Sequence, residues 1–217
     1  MEYWLQLLVG GGVTPILVNT HYLAGQVGEF VHGSPYGAHV QLVHEETLLG
    51  TAGTLLRNRH FFGNEPAMLI HGDNLSLFDV RSFMAAHASK PSSVEITMMT
   101  FTAQKPESCG IVDTDEHGVV RAFHEKDSNP PCGRANAAVY IVSPAVMDFL
   151  ASLGKGVIDF STEVIPRYLG RINTFHNDIY HRDIGTPESL HAAQPEYRNV
   201  LAHLTTLSSR AGESDSA

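Results

Sequence analysis

The stretch Ala67-Met68-Leu69-Ile70-His71-Gly72-Asp73-Asn74 decides the fold class. Its apolar run stops at a glycine, a carboxylate and an amide. This pattern is typical of a buried strand that delivers an acidic side chain to the carboxyl edge of an α/β sheet. A carboxylate at that edge is suited to hold a hard cation such as Mg2+ against phosphate oxygens. A tight turn that merely contains Gly-Asp-Asn is the alternative, and this stretch alone does not decide between them.

The composition indicates a globular, acidic protein. The 217 residues are 43% hydrophobic and 17% charged, and the formal net charge of -9 argues against non-specific binding to nucleic acid or anionic membranes. No apolar run approaches the length of a membrane span, and the start lacks a signal-peptide pattern. Two cysteines, Cys109 and Cys132, are too few for a disulfide scaffold, so we expect a cytoplasmic protein. The thirteen histidines are scattered without zinc-site spacing.

Hydrophobic periodicity predicts two kinds of architecture along the chain. In the first half, predicted strands and helices alternate, which favours a mostly parallel sheet with helices on both faces. The predicted helices there are 2–9, 22–31 and 80–88, and the predicted strands are 16–19, 38–44, 67–70 and 94–101. In the second half, 111–114, 119–123 and 138–142 predict a small antiparallel insertion. It is followed by helices 144–153 and 162–169, by strands 172–175 and 180–184, and by a terminal helix from Pro187 that Pro195 is expected to break or kink.

Several short motifs occur in an order that resembles one enzyme family. They are Leu49-Gly50-Thr51-Ala52-Gly53, Gly72-Asp73-Asn74, Glu125-Lys126, Asn136 and Asp183-Ile184-Gly185-Thr186-Pro187. The chain resembles the sugar-1-phosphate nucleotidyltransferases, and most closely the mannose-1-phosphate guanylyltransferase-like branch, from Glu2 to about Tyr197. The resemblance implies a Rossmann-like nucleotide-diphospho-sugar transferase fold. We expect a single domain over 1–204 and a flexible tail over 205–217.

The resemblance also implies substrates and a metal. A nucleoside triphosphate, with GTP favoured, and a sugar 1-phosphate, mannose or a related sugar, would yield a nucleotide-sugar and pyrophosphate. Asp73 and Asp183 resemble the family's two Mg2+-binding aspartates, and Lys126 resembles the lysine that holds the sugar's phosphate. Asp73 and Lys126 are therefore the expected catalytic residues. Taken alone, Asp183 could equally be a turn or cap residue, and Lys126 an exposed lysine.

The remaining expected contacts divide between the nucleotide and the sugar. Leu49, Gly50, Thr51 and Gly53 would wrap the base and ribose, because glycine lets the backbone approach a ligand closely. The alternative is a helix start that needs small residues only for packing. The sugar side of the cleft would be lined by Gly110, Glu125, Lys126 and Asn136. A homo-oligomer is compatible with these features.

This sequence departs from the family pattern in one major and three minor ways. The Gly-x-Gly-Thr-Arg-Leu-x-Pro loop, which cradles the triphosphate in the family, is absent, and the chain starts in a segment that resembles the helix just after it. We therefore expect the chain as given to be nearly inactive, and neighbouring strands to have exposed edges. Cys109 stands where tyrosine is common, Asp127 where proline is usual, and Ala137 where glycine is frequent.

Two other classes of function are compatible with parts of the sequence. A non-catalytic nucleotide-sugar-binding or regulatory homologue would keep the sugar side of the cleft without the triphosphate loop. A nucleotide-sugar glycosyltransferase would have a similar fold, but such enzymes usually present Asp-x-Asp to the metal. Gly72-Asp73-Asn74 lacks the second acid.

Overall fold

The computed structural model describes the backbone of residues 1–125 and 127–214 and the side chains of those residues as far as Leu204. The α-helices are α1 (Glu2–Gly10), α2 (Ala24–Gly33), α3 (Gly50–Arg57), α4 (Arg59–Phe62), α5 (Val80–Ala88), α6 (Pro144–Ser152) and α7 (Pro187–Ser214). The strands are β1 (Ile16–Thr20), β2 (Val40–His44), β3 (Ala67–Ile70), β4 (Asn74–Leu77), β5 (Ile96–Thr102), β6 (Gly110–Thr114), β7 (Val120–Glu125), β8 (Arg134–Val142), β9 (Ile172–His176) and β10 (Tyr180–Asp183).

Six strands form the central sheet. Its order is β7-β6-β8-β5-β9, and β3 pairs with β8. Strands β3 and β5 both run antiparallel to β8. Strand β9 runs parallel to β5, so β3, β5 and β9 share one direction. The antiparallel β6–β7 hairpin extends the sheet on the other side of β8. The predicted fold class, a mixed sheet with helices and a small antiparallel insertion, is thus confirmed.

Strands β1 and β2 form a separate parallel pair. Their register joins Ile16 to Val40 and Thr20 to His44, and no hydrogen-bonded pairing connects either strand to the central sheet within the described residues. Side chains on both strands are mostly half-exposed, whereas β5 and β8 are largely buried. Strand β1 and strand β3 are therefore each paired along one edge in the described part of the chain.

The hydrophobic core lies on both faces of the central sheet. One cluster joins Ile96 and Tyr140 of the sheet to Val146 and Leu150 of α6, all fully buried. A second cluster packs α1 and α5 on the opposite face, around Phe83. No helix in the described residues has the length and apolar character needed to cross a membrane.

The structure differs from the predicted elements in three places. Residues 160–167 form a π-helical turn and a 3-10 turn instead of the predicted α-helix, because Pro166 lacks the N–H that an α-helix would use. Helix α7 continues through Pro195, so the helix does not break there, and the alternative of a kink stays a prediction. Strand β4, which was not predicted, pairs antiparallel with β10. Helix α7 reaches Ser214 and residues 215–217 lie outside the described residues, so the flexible tail stays a prediction.

A buried histidine makes the stability of this fold depend on pH. Burial lowers the pKa of His87 to about 4, helped by the charge of Lys90, and its ring contacts the hydroxyls of Thr97 and Ser143. Well above pH 6.5 neither state binds this proton; as the pH falls through 6.5 towards 4, the unfolded chain binds it first. We expect His87 to reduce the free energy of unfolding by up to about 3 kcal/mol over that range.

Chemical denaturation at a series of pH values measures this effect. The variant His87→Gln should be less stable at pH 8 and should lose less stability on acidification than the unsubstituted protein. His117→Gln, at a side chain that is 79% exposed, serves as the matched control and should keep the original pH profile. A pH profile for His87→Gln that parallels the original would show that other groups cause the acid sensitivity.

Candidate functional site

Asp73 and Asp183, the predicted metal ligands, lie side by side. The Ile184 N–H donates to the Asp73 carbonyl at 2.8 Å, and the register of β4 and β10 places Asp183 opposite Asn74. A Cβ built on Gly185 would lie 3.2 Å from Asp183 Oδ1 and 3.8 Å from Asp73 Oδ2. Both carboxylates are exposed, so a ligand can approach them. The structure thus brings together two residues that are far apart in the sequence.

The donor set at this pair fits Mg2+ with a phosphate ligand. Mg2+ is usually held by one or two carboxylates, several waters and substrate phosphates rather than by an all-protein cage. The described residues contain no group of three or more His, Cys, Asp or Glu side chains that could hold a metal ion. Two adjacent, exposed carboxylates leave the remaining coordination positions to substrate and water.

On the sugar side, the structure places Gly110 opposite Glu125. The two residues are register partners across β6 and β7. A Cβ on Gly110 would lie 2.6 Å from the Phe123 ring and 2.9 Å from Glu125 Oε2. A side chain at position 110 would therefore displace the side chains of its own sheet neighbours, whatever ligand approaches. Glu125 itself is exposed at the end of β7.

Asn136 is the second predicted sugar contact, and its amide has partners within the protein. Its Nδ2 donates to the Tyr140 hydroxyl at 2.6 Å, and its Oδ1 accepts from the Ala138 N–H at 3.0 Å. Burial raises the pKa of the Tyr140 hydroxyl, and the nearby charges of Glu125 and Asp159 raise it further. Glu125, Asn136 and Tyr140 therefore lie in one neighbourhood, in which Asn136 also holds a bend of β8.

Next to the predicted departure at Ala137, the backbone of Ala138 adopts a conformation that favours glycine. Strand β8 bulges between its pairs Thr100–Asn136 and Met98–Tyr140, and Ala138 in this bulge has φ +51°. This left-handed conformation is costly for any residue with a Cβ. The left-handed position of this bulge is therefore 138, and the departure from the family pattern at Ala137 stays a prediction.

Relaxing this strain should stabilise the protein. We expect Ala138→Gly to raise the free energy of unfolding by about 0.5 to 1 kcal/mol, since the left-handed penalty exceeds the extra chain entropy of glycine. Ala137→Gly is the matched control, because Ala137 is fully buried. This substitution should lower the free energy of unfolding by about 1 kcal/mol. Denaturant titration measures both. Equal losses for the two variants would contradict the assignment of strain to Ala138.

Two predicted features, Lys126 and Asp127, are consecutive in the sequence after β7. Lys126, the expected phosphate-binding lysine, lies outside the described residues. Its neighbour Asp127 is half-buried, lies 3.8 Å from His124 Nδ1 and accepts a hydrogen bond from the Asn129 N–H. Asp127 thus has partners of its own on the protein.

The predicted nucleotide-binding glycines pack against another part of the chain. The Ala52 and Gly53 N–H groups both donate to the Ile158 carbonyl, and the Ile158 N–H donates to the Leu49 carbonyl. A Cβ on Gly53 would lie 2.3 Å from the Gly156 carbonyl oxygen. A Cβ on Gly50, where φ is +71°, would lie 2.5 Å from the Ile158 carbonyl oxygen. These contacts agree with the alternative that was left open, a packed helix start.

Thr51 connects this segment to the end of β3, near the turn that carries Asp73. Its hydroxyl lies 3.3 Å from His71 Nε2, and the His71 N–H donates to the Ala138 carbonyl at 3.2 Å. The nucleotide segment, the Asp73 turn and the β8 bulge therefore form one continuous region at the end of β3.

Glu45 is a residue of this region that the sequence analysis missed. Its side chain is buried, Oε2 accepts from the Leu49 N–H at 3.3 Å, and the Glu45 carbonyl contacts His21 Nδ1 at 2.7 Å. Among the side-chain atoms of the described residues, Glu45 Oε1 is the buried one that has no hydrogen-bond partner. An acidic residue in the polar run His44-Glu45-Glu46-Thr47 gives no sequence signal of burial. Such an orphaned acceptor requires an explanation.

Comparison with known proteins decides the family. The model of the nucleotidyl transferase family matches residues 1–200. The chain belongs to the nucleotidyl transferase family. Members of this family act on a nucleoside triphosphate and a sugar phosphate and generally use a divalent metal.

Two curated relatives are similar to this nucleotidyl transferase. The mannose-1-phosphate guanylyltransferase of Mycobacterium tuberculosis is 29% identical over 98% of this chain and 60% of its own length. The glucose-1-phosphate adenylyltransferase of Aliivibrio fischeri is 28% identical over 64% of this chain and 41% of its own length. The chain thus spans between two fifths and three fifths of these relatives.

Solved structures share the fold. A glucose-1-phosphate thymidylyltransferase from Bacillus anthracis, described as putative, superimposes with a TM-score of 0.79 at 20% identity, over 90% of this chain and 81% of that chain. HddC from Yersinia pseudotuberculosis, in complex with GMP-PN, superimposes with a TM-score of 0.76 at 21% identity, over 90% and 84%. At these identities the likeness establishes the fold.

Proposed function

We propose that this chain carries the metal and sugar-phosphate sites of a sugar-1-phosphate nucleotidyltransferase that uses GTP and mannose 1-phosphate or a related sugar 1-phosphate. The observation that carries the proposal is the adjacency of the Asp73 and Asp183 carboxylates beside Gly185. The likeness to a mannose-1-phosphate guanylyltransferase supports the choice of substrates. The low cysteine content supports a cytoplasmic location.

In the proposed reaction, an oxygen of the sugar 1-phosphate attacks the α-phosphorus of the triphosphate. The bond from the α-phosphorus to the oxygen that bridges to the β-phosphate breaks, and pyrophosphate leaves with that electron pair. Asp73 and Asp183 would hold Mg2+, which neutralises phosphate charge when bound. Glu125 and Asn136 would position the sugar hydroxyls, and Lys126 would hold the sugar's phosphate. Such catalysis relies on positioning and charge neutralisation.

The triphosphate loop that this chemistry needs is not in the 217 residues. Ile16 of β1 and Met68 of β3 pack in the same hydrophobic cluster, although the two strands do not pair with each other in the described residues. A further strand that pairs with both would lie between them. These free edges support a triphosphate-binding segment that adds to the fold there, and we propose that the chain alone transfers nucleotide very slowly.

Glu45 supports guanine as the base. Its unpaired Oε1 is an acceptor next to Leu49, where the predicted nucleotide segment begins. The Watson–Crick edge of guanine carries adjacent N–H donors, and a carboxylate can accept hydrogen bonds from them. The same edge of adenine carries an amino donor beside a ring nitrogen that is an acceptor, and this acceptor would face the Glu45 carboxylate unfavourably. Because Glu45 is buried, this contact requires residues 46–49 to open.

The absent triphosphate loop equally favours a second candidate, a non-catalytic nucleotide-sugar-binding homologue. The two candidates share the sugar and metal sites and differ in whether a triphosphate-binding segment completes the protein. Both predict binding of a nucleotide-sugar, and only the first predicts transfer once such a segment is supplied.

The test combines ligand binding with turnover. In a thermal-shift experiment with Mn2+, GDP-mannose should raise the melting temperature of the 217-residue chain more than UDP-glucose or ADP-glucose do. Glu45→Gln should reduce that preference. With GTP, mannose 1-phosphate and Mg2+, pyrophosphate release should stay near background. Enzyme-like release would contradict the low activity, and no stabilisation by any nucleotide-sugar would contradict the proposed function.

A further inference from the structure

Asn74 lies at the centre of the turn that carries Asp73, and it is 6% exposed. Its Nδ2 donates to the Ala137 carbonyl at 3.1 Å, and its own carbonyl accepts from Trp4 Nε1 at 2.7 Å. Its N–H donates to the His71 carbonyl at 3.2 Å. The turn is therefore held from α1, from β8 and from its own start through this one residue.

The partner of the Asn74 side chain is the strained bulge of β8. Between the pairs Thr100–Asn136 and Met98–Tyr140, three residues of β8 face a single residue of β5. In this bulge the Ala137 carbonyl accepts from Asn74 Nδ2, and the Ala138 carbonyl accepts from the His71 N–H. The left-handed conformation of Ala138 is thus associated with two carbonyls that both bind the Asp73 turn.

On the opposite side, the same turn binds β10. Asn74 is the register partner of Asp183, and the Asp73 carbonyl accepts from the Ile184 N–H. Movement of Asn74 would therefore change the separation of the two carboxylates directly. Residues that orient a metal ligand without touching the metal typically change metal affinity 10- to 100-fold when they are replaced.

We propose that Asn74 is a positioning residue whose side-chain bond to the β8 bulge fixes the Asp73 carboxylate beside Asp183. The inference rests on the proposed function, because it assigns the carboxylate pair to metal binding. The inference also extends the proposed function. The Asn74–Ala137 bond joins the turn that carries Asp73 to β8, the strand that carries Asn136 of the proposed sugar site. The asparagine that follows the aspartate in the opening sequence motif thereby gains a role of its own.

The test replaces the amide donor without changing the side-chain shape. In Asn74→Asp the Ala137 carbonyl loses its donor and faces a carboxylate. Asn177→Asp is the matched control: Asn177 is 5% exposed and its Nδ2 donates to the Tyr180 carbonyl at 2.8 Å, at the far end of β10 from Asp183. Binding of Mn2+ in the presence of GDP-mannose is measured by electron paramagnetic resonance for the 217-residue chain and for each variant.

We expect at least about tenfold weaker Mn2+ binding for Asn74→Asp and a change within twofold for Asn177→Asp. Equal Mn2+ affinity of Asn74→Asp and the unsubstituted protein would overturn the proposal. So would an equal loss in both variants, because that would reflect general destabilisation. If Asn74→Asp does not fold, Asn74→Ser, which also lacks the amide donor to the Ala137 carbonyl, takes its place, and an unchanged Mn2+ affinity would then overturn the proposal.

A second measurement separates this proposal from the proposed function. Trp4 is the single tryptophan of the sequence and bonds directly to the Asn74 carbonyl, so its fluorescence reports on the turn. Acrylamide should quench it at least twofold more strongly in Asn74→Asp than in Asn177→Asp. If the unsubstituted protein binds no Mn2+, the proposed function fails. Increased quenching would then still show that the Asn74 amide holds the turn that carries Asp73, and unchanged quenching would overturn the positioning role of Asn74.

Discussion

Replacing Asp183 with asparagine is expected to weaken Mn2+ binding in the presence of GDP-mannose by at least about 100-fold, since loss of a direct ligand should cost no less than loss of a residue that orients one. Asparagine keeps an oxygen that can accept from the Gly185 N–H, as Asp183 Oδ1 does at 2.9 Å, so the fold should be preserved. Asp73→Asn should behave alike. Electron paramagnetic resonance of Mn2+ measures both affinities.

The matched control for this experiment is Asp178→Asn. Asp178 is an exposed carboxylate in the turn before β10, so the substitution changes the net charge equally and at the opposite end of the strand. Its Mn2+ affinity should stay within twofold of the unsubstituted protein. A threefold or smaller effect of Asp183→Asn would exclude Asp183 as a metal ligand and would remove the main support for nucleotidyl transfer.

Gly53→Ala is expected to reduce the free energy of unfolding by about 3 kcal/mol or more. The new Cβ would lie 2.3 Å from the Gly156 carbonyl oxygen and 3.2 Å from the Ile158 nitrogen, and both of these are backbone atoms that a rotamer change cannot move. Helix α3 would have to separate from residues 156–158. Denaturant titration measures the loss.

Gly25→Ala in α2 is the matched control for Gly53→Ala. A Cβ on Gly25 would meet no atom within 4 Å, so alanine should raise the free energy of unfolding by about 0.5 to 1 kcal/mol through its higher helix propensity. If the free energy of unfolding falls for Gly53→Ala and rises for Gly25→Ala, the role of Gly53 is packing. A stable Gly53→Ala that has lost only GDP-mannose binding would instead assign it to the ligand.

The sequence predicts the acidic residues Asp73 and Asp183 at strand ends. It does not predict β4, the strand whose pairing with β10 brings the two carboxylates together. Asp73 follows an apolar run and Asp183 precedes a clear helix start, so the sequence predicts that both lie at strand ends. Strand β4 has the sequence Asn-Leu-Ser-Leu, and four alternating residues are too few to distinguish a strand from a turn. Its pairing with β10 is long-range, and this pairing brings the two carboxylates together.

The local sequence gave equally little indication of Ala138 and Glu45. Alanine rarely adopts a left-handed conformation, so the run Ala-Asn-Ala-Ala-Val predicts an ordinary strand. In the fold, the Asn136 side chain and the contacts of the bulge with the Asp73 turn hold φ at +51°. Glu45 lies in a polar loop, and its burial depends on how β1, β2 and the start of α3 pack. Strain and burial at these two residues are tertiary properties, and composition does not encode them.

The isolation of the β1–β2 pair should make this protein open in stages. The pair has its own hydrogen-bond ladder, half-exposed side chains and no ladder to the central sheet in the described residues. Amide protons of β1 and β2 should therefore exchange with deuterium through a local opening, which costs less free energy than global unfolding. Those of β5 and β8 should exchange only when the whole domain unfolds. The chain would then contain a less stable unit at one edge of its sheet and a more stable one that holds Asn136 and the β8 bulge.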